Sequence, residues 1–266
     1  MARRAGAACC AAALLAGCQT AGGLLDSGPG LGRHLESAEV ISGMAGGNVV
    51  AEAAYWGGHY ERDPRNGEAA ANYAAALRKI GSLPAALDVL RRAEALNPED
   101  PRILAEYGKA LTAAGRAAEA LPVLDRALAA NAGDWKTLTA RGVALDQVGE
   151  HEAARAAYRA AIAAAPGEPA PWNNLGMSYA LTGDLRDAEL AIREAVGTPR
   201  ATARMRQNLS LVLGLRGDFT EAERLARADL PPATVDSNLA ALRSIVAQPA
   251  LWSREANVDN NPVVIE

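Results

Sequence analysis

Five glycines recur at a fixed interval along the middle of this chain and restrict the folds open to it. Successive members are 34 residues apart, and an alanine follows each glycine five residues later. The glycines are Gly81, Gly115, Gly149, Gly183 and Gly217, and the alanines are Ala86, Ala120, Ala154, Ala188 and Ala222. A period of roughly 20 to 50 residues is typical of arrays of stacked units. The chain is therefore predicted to be a solenoid, in which each unit packs mainly on its neighbours.

The composition indicates that these units are helical. Half of the residues are hydrophobic and only 4% are aromatic. The hydrophobic share is largely alanine and leucine, which are strong helix formers. β-branched and aromatic residues, which strands favour, are few. We therefore predict an all-α protein in which two helices flank each glycine.

The unit around residues 169–202 has the clearest pattern. Its first segment has apolar or small residues at i, i+3, i+4 and i+7, which form one face of an α-helix. These residues are Trp172, Leu175, Gly176 and Tyr179. Gly176 is small where two helices are expected to cross, and Ala188 is predicted to keep the second helix close to the first.

The spacing W-x₂-L-G-x₂-Y, followed by Ala188, resembles the signature of the tetratricopeptide repeat family. This resemblance implies a right-handed superhelix of helical hairpins, an α-solenoid. It covers five units over residues 67–232, and residues 33–66 read as a degenerate first repeat. A capping helix is predicted within residues 233–252, from Ser237 to Ala247, with Asp236 as its N-cap. Residues 253–266 are interpreted as a C-terminal tail.

The start of the chain predicts export and a lipid anchor. Two arginines precede an apolar run that is too short to cross a bilayer but has the length of a signal-peptide core. The run ends in Leu15-Ala16-Gly17-Cys18, which resembles the bacterial lipobox. The resemblance implies a signal peptide over 1–17, a lipid on Cys18 and a tether over 18–32. Cleavage by the ordinary signal peptidase, with Cys18 incidental, is the alternative.

That resemblance also predicts the location of the protein. The residue after Cys18 is Gln19, and by the sorting rules of lipoproteins a residue other than Asp favours the outer membrane. The expected location is therefore the periplasmic face of the outer membrane. The chain has three cysteines, all within the first 18 residues. The mature chain is thus expected to hold no disulfide.

Charge and motif content argue against nucleic-acid binding and catalysis. Removing residues 1–17 takes away Arg3 and Arg4 and no acid, so the net charge changes from −4 to −6. An acidic chain with few aromatic residues is a poor candidate for nucleic-acid binding, which requires basic surface and rings that stack on bases. The three histidines are not at metal-ligand spacing, and no catalytic motif is found. We expect no enzyme activity, no metal and no cofactor.

A candidate peptide-binding groove follows from the first helices of the repeats. Repeat positions are counted from Gly67, Pro101, Trp135, Pro169 and Ala203, and positions 2, 6 and 9 share one helical face. The candidate residues on this face are Arg102, Lys109, Lys136, Asn174, Met177, Arg204, Asn208 and Leu211. An asparagine amide both donates and accepts, which suits a peptide backbone. Arg204 with Asn208 also resembles part of the family's carboxylate clamp. The groove is predicted to have a basic middle and an amide-rich, apolar end; merely solvated side chains are the alternative.

The layout of the whole chain resembles the TadD-type tetratricopeptide lipoproteins of Flp/Tad pilus assembly. Both have a lipobox, a short tether, a run of repeats and a helical cap. The resemblance implies a scaffold with a protein partner, such as the pilus secretin or another Tad component. The alternatives are a pilotin or adaptor of another envelope machine, namely a type IV pilus, a β-barrel assembly complex or a cell-wall protease. A non-catalytic subunit of envelope polysaccharide synthesis is a further alternative.

Overall fold

The structure is a computed structural model that describes residues 47–248. In this part of the chain it contains twelve α-helices and no strand. The helices are α1 (Val49–Arg62), α2 (Gly67–Lys79), α3 (Leu83–Leu96), α4 (Pro101–Ala113), α5 (Ala117–Ala130), α6 (Trp135–Gln147), α7 (His151–Ala164), α8 (Pro169–Leu181), α9 (Leu185–Val196), α10 (Ala203–Leu215), α11 (Phe219–Ala226) and α12 (Pro232–Val246). No helix between residues 47 and 248 has the length and apolar character needed to cross a membrane.

The periodic glycines form the turns between the two helices of each repeat. All five have positive φ angles, between +72° and +89°. Glycine is favoured there because it lacks the Cβ that makes left-handed backbone costly. Gly47, which precedes α1, has the same conformation, with φ of +73°. The turn before α1 therefore resembles the turn before the second helix of each repeat. The first part of the predicted degenerate repeat, residues 33–46, lies outside the described residues.

Side-chain caps fix where several of the first helices begin. Asn66, Asp100 and Asp134 each accept a hydrogen bond from a backbone N–H of the first turn that follows. Such a cap satisfies a donor that would have no partner within the helix. The caps also occupy equivalent positions, since each is the residue immediately before a repeat unit. They therefore set the same register for the first helices of three successive repeats.

The core of each repeat lies where its two helices cross. The five alanines that follow the turn glycines are fully buried, each with 0% of its surface exposed. Gly176 illustrates how close the helices come: a Cβ on this residue would lie 2.4 Å from Ile192 Cγ1 and 2.7 Å from the Ala188 oxygen. Gly108 and Gly142 are equally close to Leu124 and Tyr158. A larger residue at these positions would force the hairpin apart.

The first helix of each repeat packs against both helices of the preceding repeat. Helices α2, α4, α6, α8 and α10 each contact the next one in this series, whereas successive second helices make few contacts with one another or none in the described part. Since the first helices lie closer together, they form the inner wall of the array and the second helices form its outer side. This arrangement confirms the predicted all-α tetratricopeptide solenoid with a C-terminal capping helix.

The capping helix differs in its start from the sequence prediction. It begins at Pro232, before the predicted Ser237, because a proline with fixed φ suits the first turn of a helix. Asp236 therefore lies inside the helix, where it pairs with Arg227 across 3.1 Å. The buried residues are Val235, Leu239 and Leu242, whereas Ile245 and Val246 near the end of the helix are only half-buried.

The end of the last repeat is held by an ion pair at Asp229. The carboxylate accepts two hydrogen bonds from the Arg206 guanidinium, at 2.8 and 2.6 Å. These hydrogen bonds lower the pKa of Asp229. An ion pair thus joins the end of the shortened α11 segment to the first helix of the same repeat.

Candidate binding groove

The inner wall carries a groove that is lined by equivalent positions of the first helices. A shallow cavity of about 220 Å³ lies between α2 and α4. It is lined by residues at positions 2, 5, 6 and 9 of the two repeats, together with the Asp134 cap: Glu68, Ala71, Asn72, Arg102, Ala105, Glu106, Lys109 and Asp134. Because the repeats stack with the same register, these positions line the inner wall in the later repeats as well.

The predicted basic middle of the groove is balanced by acidic neighbours. Arg102 binds the Asp100 carboxylate at 2.8 Å and lies 3.9 Å from Glu68. Lys109 pairs with Glu106, which also accepts from Arg78 at 3.2 Å. The hydrogen bonds from Arg102 lower the pKa of Asp100 and keep this carboxylate charged. The sequence prediction included the basic residues of the groove face. It left out the acidic residues one helical turn or one repeat away.

Lys136 and Arg204 are different, because neither has an acidic partner within residues 47–248. Both side chains are exposed and occupy position 2 of their repeats. The Lys136 ammonium lies 5.6 Å from the centre of the neighbouring Trp135 ring. These two cations lie in the C-terminal half of the groove, where Ala170 occupies the equivalent position between them.

Three asparagines form a chain of hydrogen bonds across two repeats. Asn208 donates to the Asn173 side-chain oxygen at 2.9 Å, and Asn173 donates to the Asn174 oxygen at 3.2 Å. Asn208 is only 9% exposed and Asn173 only 8%. Asn208, which the sequence analysis assigned to the peptide-binding groove, is thus buried, and its NH₂ group donates to the preceding repeat.

Asn173 was not predicted as a site residue. It occupies position 5, one residue before the predicted row at position 6. The doubled Asn173-Asn174 pair on an otherwise apolar helix was the available signal. Asn174 remains half-buried, and its NH₂ group donates to no partner among the described residues.

An apolar stripe runs beside the asparagines at position 9. Val143, Met177 and Leu211 occupy this position in three successive repeats, and all are half-buried. Met177 and Leu211 rest on the same buried cluster, while Val143 rests on the preceding one. The stripe thus joins the core to the surface of the groove and presents aliphatic surface to it.

The wall beneath this part of the groove is held by the carboxylate of Asp146. It accepts hydrogen bonds from Tyr158 at 2.9 Å and from Ser178 of the next repeat at 2.8 Å, and His151 Nδ1 lies 2.9 Å away. Burial, and then the nearby Asp146 charge, raises the pKa of the Tyr158 hydroxyl. The members of this cluster come from three helices, and the sequence analysis did not predict it.

The predicted packing residues of the fourth unit line the crossing of α8 and α9. Leu175, Gly176 and Ala188 are buried, while Trp172 and Tyr179 are half-buried. The guanidinium of Arg155 also lies over the Tyr179 ring, 4.5 Å from the ring centre. The Arg155 side chain is only 6% exposed, although the sequence pattern gave no sign that it is buried.

Other predicted features lie elsewhere. The lipid-attachment residue Cys18 is outside the described residues. Within residues 47–248, no three His, Cys, Asp or Glu side chains are grouped to hold a metal ion.

The fold and groove define a helical-repeat protein. Tetratricopeptide-repeat family profiles match residues 81–142, 139–204 and 202–230, which together cover more than half of the chain. The chain therefore belongs to the tetratricopeptide repeat family and is a scaffold of the kind that mediates protein–protein interaction.

Solved structures show the same fold. One similar structure is TTC0263, a thermophilic TPR protein of Thermus thermophilus, with 20% identity and a TM-score of 0.59; the match covers 66% of this chain and 98% of that one. Another is PilW, described as a widely conserved type IV pilus biogenesis factor, with 21% identity and a TM-score of 0.63, over 78% of this chain and 95% of that one. No curated protein sequence matches the chain.

Proposed function

We propose that this protein is a lipid-anchored scaffold on the periplasmic face of the outer membrane. It binds an extended segment of a pilus protein in the C-terminal half of its groove and has no catalytic role. The observation that carries the proposal is the asparagine chain beside the apolar stripe. These two features place hydrogen-bonding groups next to aliphatic surface over consecutive repeats.

The chemistry of this surface suits a peptide backbone. Asn174 uses its oxygen to accept from Asn173, which leaves its NH₂ group for a carbonyl of the partner. An extended segment has no internal backbone hydrogen bonds, so an external donor stabilises it. Met177, in the same repeat as this amide, and Leu211, in the next repeat, would bury aliphatic side chains of the segment. Apolar burial contributes affinity, and the amide fixes the path of the backbone.

The anchor and the pilus assignment depend on the layout of the sequence. The lipobox-like segment ending at Cys18 supports the location, and the order of lipobox, tether, repeats and cap supports a role in Flp/Tad pilus assembly. PilW, a type IV pilus biogenesis factor, has the same fold. At 21% identity this similarity supports the fold alone. Experiment must decide which envelope assembly system the protein serves. We propose the secretin, or another Tad component, as the partner.

Site-specific crosslinking tests this proposal in cells that assemble the pilus. A photoreactive amino acid at Met177 should crosslink to a pilus component, with the secretin as the expected product. The matched control is the same amino acid at Leu190, which is 56% exposed on α9, a second helix. Crosslinks from Leu190 alone would place the binding surface on the outer side. A β-barrel assembly or cell-wall component crosslinked to Met177 would favour the adaptor alternative.

A further inference from the structure

The first residue row of the groove contains two charges that nothing in the described part neutralises. Position-2 side chains of successive repeats lie side by side, as the 3.9 Å approach of Arg102 to Glu68 shows. In the N-terminal half of the groove, the positive charge of this row at Arg102 is neutralised by the neighbouring carboxylates of Glu68 and Asp100. In the C-terminal half it continues as Lys136, Ala170 and Arg204, in which both cations are exposed and lack an acidic partner.

These cations flank the proposed binding surface along one edge. Positions 2, 6 and 9 lie on one helical face, and about 10 Å of helix separates position 2 from position 9 at 1.5 Å per residue. The asparagines at position 6 lie between the two rows. A segment that runs along the array over the asparagines would therefore have cations on one side and the apolar stripe on the other.

An extended segment matches this arrangement through its alternation. Successive side chains of a strand point to opposite sides. Neighbouring packed helices are about 8–10 Å apart, so α6 and α10, two steps apart, are separated by roughly 16–20 Å. At about 3.3 Å per residue, this separation corresponds to roughly five or six residues of a strand. Side chains six residues apart point to the same side of a strand, whereas side chains five residues apart point to opposite sides.

We propose that the groove recognises an internal acidic segment of its protein partner, with two carboxylates six residues apart and aliphatic side chains on the alternate positions. The carboxylates face Lys136 and Arg204, and the aliphatic side chains face Val143, Met177 and Leu211. This inference rests on the proposed function and adds the chemistry of the partner to it. The segment is internal because the two cations belong to separate repeats and do not converge on one carboxylate.

The test uses the full chain and synthetic peptides. The probe is a peptide with blocked ends, two glutamates six positions apart and leucine or valine at the alternate positions. One control peptide has glutamine in place of both glutamates, and another has the glutamates three positions apart. Fluorescence anisotropy should show about tenfold tighter binding of the probe than of the glutamine peptide, with the difference decreasing as salt is raised.

Charge reversal in the protein identifies the cations that are responsible. The double variant Lys136→Glu and Arg204→Glu should lose the preference for the probe and still bind the glutamine peptide. The matched control Arg186→Glu, at an exposed site on α9, should keep the preference. Circular dichroism checks that each variant is folded.

The possible failures are distinguishable. Equal binding of the glutamate and glutamine peptides, weakened alike by Met177→Ala, would overturn the acidic-segment inference and leave the proposed groove intact. Tighter binding of a glutamine peptide with a free C-terminus would overturn it in favour of a terminal carboxylate. If the folded wild-type chain binds none of these peptides, both this inference and the proposed use of the groove are wrong.

Discussion

The side-chain amide of Asn208 donates to the side-chain oxygen of Asn173 in the preceding repeat, over 2.9 Å, and both residues are more than nine-tenths buried. This bond connects α10 with α8 through groups that water barely reaches. A buried amide that loses its partner carries its full desolvation cost. The two asparagines are therefore expected to behave as one unit in the stability of the array.

We expect Asn208→Ala to lower the free energy of unfolding by about 1–3 kcal/mol, because the Asn173 oxygen is left buried without its donor. The double variant with Asn173→Ala should lose less than the sum of the two single variants. Urea denaturation measures all three. Gln207→Ala is the matched control, since its half-buried amide makes no hydrogen bond within the described residues, and its effect should be within about 0.5 kcal/mol. Additive losses would show that the pair is not coupled.

Gly176 tests the crossing of the two helices of the fourth repeat. A Cβ at this residue would lie 2.4 Å from Ile192 Cγ1. Gly176→Leu should therefore destabilise the protein by at least about 1–3 kcal/mol, the range typical of overpacking. Helix content before melting should change little. Gly167→Leu makes the same exchange in a turn where no atom lies within 4 Å of the added Cβ. An equal drop in the thermal midpoint of both variants would contradict the close crossing.

Much of the fold could be predicted from the sequence because the repeat has a strict period. Gly81 and its four equivalents mark turns that require positive φ, and a single local requirement of this kind is visible in a sequence. The same holds for the alanines at the helix crossings, where only a small residue fits. The start of the capping helix was less predictable, because two sequence signals compete there. Asp236 is a suitable N-cap, and Pro232 is equally suitable in the first turn of a helix.

The groove was harder to predict because its properties depend on contacts between repeats. Arg102 and Lys109 form a basic patch only if their acidic neighbours are ignored, and those neighbours come from the preceding loop, the preceding repeat and the adjacent helical turn. Asn208 is likewise buried by a partner 35 residues earlier in the chain. Pairings of this kind depend on the exact side-chain directions of two helices, which a periodic pattern does not specify.

The anchor can be tested separately from the repeats. We expect Cys18→Ser to leave an uncleaved precursor that takes up no lipid and no longer fractionates with the outer membrane, because the peptidase and the acyl transfer both require the cysteine. Metabolic labelling with a fatty acid and membrane flotation measure the two effects. Serine at Cys10 is the matched control and should leave both unchanged. Normal labelling and flotation of the Cys18 variant would refute the lipoprotein assignment.

The Tyr158 hydroxyl predicts how stability depends on pH in the alkaline range. Burial, with the neighbouring Asp146 carboxylate, raises the pKa of Tyr158 in the folded protein, whereas in the unfolded chain a tyrosine ionises near pH 10. The unfolded state therefore loses this proton first, and stability should fall as pH rises above about 10. Tyr158→Phe should flatten this decrease, although it also lowers stability at neutral pH by removing a hydrogen bond to Asp146.

Ser178→Ala is the matched control, because it removes another hydrogen-bond donor to the Asp146 carboxylate but no titrating group. Its stability should decrease with alkaline pH as steeply as that of the wild type. Urea midpoints measured between about pH 8 and pH 11 provide the comparison, and an unchanged slope in Tyr158→Phe would show that this hydroxyl does not titrate differently on unfolding.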